Sequence, residues 1–68
     1  MLYAVYLQDT NGHRRLVGGG MDLPEKEADD LIKSIEAKHT KPHKVDYFKI
    51  GYEAASKRKV LSEAGIEY

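Results

Sequence analysis

Apolar residues are arranged along the chain in three different ways, and each marks a different element. Between Asp22 and His39 (DLPEKEADDLIKSIEAKH) Ala28, Leu31, Ile32, Ile35 and the ring of His39 fall at i, i+3, i+4, i+7 and i+11, one stripe of a 3.6-residue helix. Asp22 and Glu25 have capping-box spacing, with Pro24 in the first turn where its missing N–H costs nothing. Pro42 ends the helix at about His39, because the residue before a proline is pushed out of the α region. Met1–Gln8 is instead dense in β-formers on both faces, which suits a central strand. Val45–Tyr52 alternates, with Val45, Tyr47 and Lys49 set against Asp46, Phe48, Ile50 and Tyr52. Phe48 and Ile50 carry the larger apolar area, so they are expected in the core with Val5, Leu7 and Leu16.

Asp9-Thr10-Asn11-Gly12 is a strong hairpin signal, since Asn and Gly tolerate the positive φ of a type I′ turn. A two-residue Asn11-Gly12 turn pairs Thr10 with His13, Gln8 with Arg15, Leu7 with Leu16, Tyr6 with Val17 and Val5 with Gly18, in a second strand running from Arg14 to about Gly20. Gly18-Gly19-Gly20 then falls where a bulge, a sharp exit or close approach of the helix is possible. Lys38–Lys44 reads as a polar connector, and Glu53–Ala64 as a short second helix closed by Gly65 and Ile66 in a Schellman-type cap.

The order β-β-α-β-α, with a right-handed crossover, predicts a single α+β domain over residues 1–68. Its three-stranded antiparallel sheet has order 2-1-3, with the long helix on one face and the second helix sharing that face or wrapping an edge. The opposite face then carries Leu2, Ala4, Tyr6, Gln8, Arg15, Val17, Val45, Tyr47 and Lys49. Unless the second helix closes it off, that is an apolar and aromatic patch rimmed by cations.

Composition sharpens this picture in two places. The chain of 68 residues holds no cysteine, so neither disulfide nor thiolate–zinc framework can replace a core, which suits a cytoplasmic setting. The apolar start MLYAVYL lacks a basic leader and stops well short of a membrane span, so a soluble, leaderless chain without membrane contact is expected. Eleven basic and eleven acidic side chains cancel. They are unevenly placed, however: six acids against two lysines from Met21 to Ala37, and seven bases against Asp46 and Glu53 from Lys38 to Lys59. A solvated helix face followed by basic loops accounts for this, and overall neutrality argues against strong duplex binding.

Candidate chemistry is sparse. His39 and His43 are four apart, yet Pro42 breaks the helix between them and no third ligand is evident, so no metal or other cofactor is expected. Ser34, Ser56 and Ser62 lack a nucleophile elbow, and the adjacent Asp29 and Asp30 diverge by about 100° on a helix. Gly18-Gly19-Gly20 has no GK[ST] sequel, and Asp22, Glu25 and Glu27 would repel a phosphate there. Lys57-Arg58-Lys59 reads as a solvated helix face. The expectation is a non-enzymatic binding or adaptor protein with no small-molecule substrate, of a size that suits a phage or mobile-element accessory protein. It would use Tyr6, Arg15, Val17, Tyr47 and Lys49 on the open sheet face to meet a protein partner or a second copy of itself. The alternative is single-stranded nucleic acid, its bases stacked on Tyr6 and Tyr47 and its phosphates held by Arg15, Lys49 and the basic 38–59 region.

Overall fold

In the computed structural model, which describes residues 1–38 and 45–67, the chain forms a small α+β domain with a four-stranded mixed sheet. The elements are β1 (Leu2–Gln8), β2 (Arg14–Leu16), α1 (Glu25–Lys38), β3 (Asp46–Tyr52), a 3₁₀ turn (Ala54–Ser56), α2 (Lys57–Glu63) and β4 (Ile66–Glu67). The sheet order is β3-β1-β2-β4. β1 sits between two antiparallel neighbours, as its doubly apolar composition requires, so the expected 2-1-3 arrangement is present. A strand of two residues, β4, adds a parallel edge beside β2, so the sheet has four strands rather than three.

The hairpin register differs from the expected one by a single residue. Gln8 pairs with Arg14, Leu7 with Arg15 and Tyr6 with Leu16. Asp9 is the cause: its carboxylate accepts the N–H of Asn11 at 2.9 Å and of His13 at 3.0 Å, which draws the chain into a three-residue loop. The Asp9 N–H donates to the His13 carbonyl, the Gly12 N–H returns to the Asp9 carbonyl, and Gly12 takes φ +84°. A shift of one residue turns over every side chain of the second strand. Leu16, not Val17, therefore stands beside Tyr6, and Arg15 moves to the opposite face.

β2 stops at Leu16 instead of reaching Gly20. The Val17 N–H donates to the Val5 carbonyl at 3.0 Å, the chain loops out through Gly18 and Gly19, and it returns so that the Gly20 carbonyl accepts the Val5 N–H at 2.7 Å. Gly20 is buried, and a Cβ there would lie 3.1 Å from the Val17 carbonyl and from Val5. Of the possibilities the glycines allowed, the bulge is the one that forms. Tyr3 and Leu23 then exchange two backbone bonds of 2.7 and 2.9 Å, which brings the start of α1 alongside β1.

The capping box does not form. Asp22, at φ +58°, is drawn away to Tyr52 and Lys57, and the Pro24 carbonyl takes the first helical N–H, from Ala28. The expected end at His39, the connector through Lys44 with Pro42, and the His39/His43 pair lie outside the described residues.

The two helices lie on opposite faces. α1 packs on the side of β1 and β3 that bears Tyr3, Val5 and Lys49, burying Ala28 fully and Leu31, Ile32 and Ile35 in part. α2 begins at Lys57, after the 3₁₀ turn, rather than at Glu53, and it takes the other side. There Leu61 is sealed against Ala4, Tyr52 and Ile66, flanked by Leu2, Tyr6, Leu16, Ile50 and Val60. The second helix neither shares the first helix's face nor wraps an edge, but partly closes the face expected to be open. Gly65, at φ +71°, ends α2 by donating to the Ser62 carbonyl and turns the chain into β4.

Two glycine substitutions separate the bulge from its tip. Gly18→Ala meets open space and should leave the urea midpoint nearly unchanged, whereas Gly20→Ala should lower stability by about 1–3 kcal/mol through overpacking against Val5. Equal effects in the two variants would contradict the bulge.

Candidate functional site

Because β1 and β3 are in register along their whole length, alternation assigns every side chain to a face. Ala4 opposes Ile50, Tyr6 opposes Phe48 and Gln8 opposes Asp46 on the α2 side; Val5 opposes Lys49 and Leu7 opposes Tyr47 on the α1 side. Tyr6 and Tyr47, expected to share one surface, are thus on opposite sides of the sheet. Lys49 lies under α1, where its ammonium meets the Asp29 carboxylate at 2.7 Å and Glu25 at 3.2 Å and stands 5.5 Å from the Tyr3 ring centroid. The Asp29 hydrogen bond is the main reason that its pKa rises. Lys49 could not be read as an inward residue from its own charge; the acids at helical spacing in α1 accommodate it.

Arg15 lines a hollow of about 200 Å³ with Leu7, Asp9, His13 and Glu67, where His13 Nδ1 is 3.6 Å from the Asp9 carboxylate. Val17 is half-buried at the bulge, and its backbone rather than its side chain makes its defined bond. Tyr47 is half-buried opposite Leu7. Of the five expected contact residues, Arg15 and Tyr47 thus flank Leu7 on the α1 side with Lys49 next along β3, while Tyr6 stands on the opposite face. Among the described residues no group of three or more His, Cys, Asp or Glu side chains is placed to hold a metal ion, and no helix is long and apolar enough to cross a membrane.

The sheet instead assembles a different cluster around Tyr6. α2 runs obliquely, from Lys57 near the Tyr52 end of β3 to Ala64, whose carbonyl accepts Arg14 Nη1 at 2.7 Å on the β2 side. The corner formed by the middle of β3 and the far end of β1 is left uncovered. Phe48 is 41% exposed there, and its ring lies 5.6 Å from that of Tyr6 at a 31° tilt. Arg14 stands 5.8 Å over the other side of the Tyr6 ring, with its Nε donating to Gln8 at 3.1 Å. Phe48 was expected inside the core. It does share a face with Ile50 and Tyr52, but that face belongs to the shorter helix, which does not reach it. The β1–β3 register that makes Tyr6 and Phe48 cross-strand partners carries no local sequence signal.

A second cluster secures the opposite end of the same face. Tyr52 is 2% exposed, and its hydroxyl accepts the Asp22 N–H at 2.8 Å while donating to the Asp22 carboxylate. Lys57 Nζ meets the other carboxylate oxygen at 3.0 Å. Burial, and then the Asp22 carboxylate, push the Tyr52 hydroxyl up to about 12. The Tyr52 bond, followed by Lys57, lowers the pKa of Asp22. No protein-family model, no curated protein and no solved structure matches this chain, so function has to be read from this geometry.

The pKa shifts fix a pH window. Tyr52 titrates higher when folded, so its contribution is complete below about pH 10 and is lost as pH climbs toward 12. Asp22 titrates lower when folded, so its contribution is present above its ordinary value of 3.8 and fades as pH falls below that. In alkaline melts Tyr52→Phe should therefore show a smaller fall in Tm above pH 10 than the wild type. An unchanged alkaline slope would remove the Tyr52–Asp22 bond as its source.

Proposed function

We propose that this chain is a small binding protein without catalysis of its own, meeting a protein surface or a second copy through the uncovered corner of its sheet at Tyr6, Phe48 and Arg14. The observation that carries this reading is Phe48, a large aromatic exposed in the middle of a strand and already stacked on a tyrosine. Two aromatic rings beside an arginine match the composition of residues that dominate interface energies. Arg14 is held by Ala64 and Gln8, so little of its side-chain freedom remains to be lost on association. A cytoplasmic setting fits the absence of cysteine.

The same rings favour a second reading, in which unpaired bases stack on Tyr6 and Phe48. It is the weaker one, because Lys49 is engaged by Glu25 and Asp29 beneath α1 and Arg15 lies on that side too, leaving Arg14 as the cation beside the rings. Salt separates the readings: binding of labelled single strands should fall steeply as salt rises, whereas an apolar contact should persist.

The direct test is Phe48→Ser. A contact residue should cost less than about 1 kcal/mol of folding stability, against roughly 2–5 kcal/mol for Leu61→Ala in the sealed core. The variant should also lose whatever association the wild type shows, whether self-association in sedimentation or capture of a protein from the source cells. Association that is unchanged in Phe48→Ser would overturn the proposal.

A further inference from the structure

We propose that two copies of this chain join edge to edge, β3 against β3 of the second copy, in an antiparallel pair centred on Ile50. This rests on the reading above, in that it names the partner beside the Phe48 corner, but it stands on the backbone of β3 and not on its rings. β3 is an outer strand of the sheet. In β1, Tyr3 and Val5 turn their backbone groups toward Leu23, Gly20 and Val17, on the side away from β3. The alternate residues, Ala4 and Tyr6, therefore bond to Ile50 and Phe48, and within β3 it is Lys49 and Gly51 that turn N–H and C=O outward. No strand meets them there among the described residues.

Outer strands ordinarily discourage such pairing by being short, bulged, broken by proline or guarded by a lysine. β4, at the opposite edge, has two residues. β3 has seven, with no proline and an unbroken register against β1. Its lysine does not guard it, because Asp29 and Glu25 hold the Lys49 ammonium down over the Tyr3 ring.

The occupant is a second copy because the strand is complementary to itself. A two-fold axis at Ile50 sets Lys49 opposite Gly51 of the other copy, and it brings Phe48 beside the second copy's Tyr52. The chain also has reason to associate: the described residues that are fully buried and apolar are Ala4, Val5, Ala28, Tyr52, Leu61 and Ile66, a thin core for a domain of this size.

The sequence has no cysteine, which gives a clean test. Across a non-hydrogen-bonded antiparallel pair the two Cα atoms lie about 4.5 Å apart, within disulfide range. Under mild oxidation Ile50→Cys should form a covalent dimer more than about tenfold faster than Ser34→Cys on the exposed side of α1, because pairing concentrates the thiols. The unmodified full chain should sediment as a dimer. A monomer at millimolar concentration, or an Ile50→Cys rate no higher than that of Ser34→Cys, would overturn the proposal. If Ile50→Cys still cross-links when Phe48→Ser is added, the edge pairing stands and the aromatic corner is not what joins the two copies. If a monomeric chain captures a protein that Phe48→Ser loses, the corner stands and the edge pairing fails.

Discussion

The Tyr52 hydroxyl holds three parts of the chain at one point. A phenol sealed in a protein interior must find a hydrogen-bond partner, and here the partner is a residue in the left-handed region of backbone space, where Asp is tolerated at a cost of about 1–2 kcal/mol. Asp22 answers with both its N–H and its carboxylate, then holds Lys57 at the first residue of α2. The approach to α1, the end of β3 and the start of α2 are thereby fixed together. With both helix starts fixed at that end of the sheet, the opposite end is left to whatever length each helix has.

The helices differ in length by a factor of two, fourteen residues against seven. The longer one neutralises the Lys49 ammonium with Glu25 and Asp29, both near its start. The shorter one seals Ala4, Tyr52 and Ile66 and then ends at Arg14, so the Tyr6–Phe48 corner beyond it stays exposed. Exposure of Phe48 beside the half-buried Tyr6 is a consequence of where α2 is anchored and how soon Gly65 ends it.

Much of this was readable from residue pattern. The doubly apolar first strand, the helix stripe built on Ala28, the interruption at the glycines and the central place of β1 each follow from a local rule that tertiary contacts did not override. What failed did so for specific reasons. A single carboxylate, Asp9, captured two backbone N–H groups and moved the hairpin by one residue, which reversed the faces of Arg15 and Leu16. Asp22 had the right spacing for a cap but was claimed by a tyrosine thirty positions away. Lys49 looked like a surface cation because the acids that take it in lie on another element. β4 is too short to carry a period at all.

The outward loop at Gly18 and Gly19 offers a practical opening. Its base is closed by the Gly20 N–H on the Val17 carbonyl, and neither glycine has a neighbour within 4 Å of where a side chain would begin. Lengthening a loop whose ends are already pinned costs only about 0.6 kcal/mol for each doubling. A peptide tag or a spectroscopic label could thus be spliced between these two residues, giving the molecule a handle that enters open space.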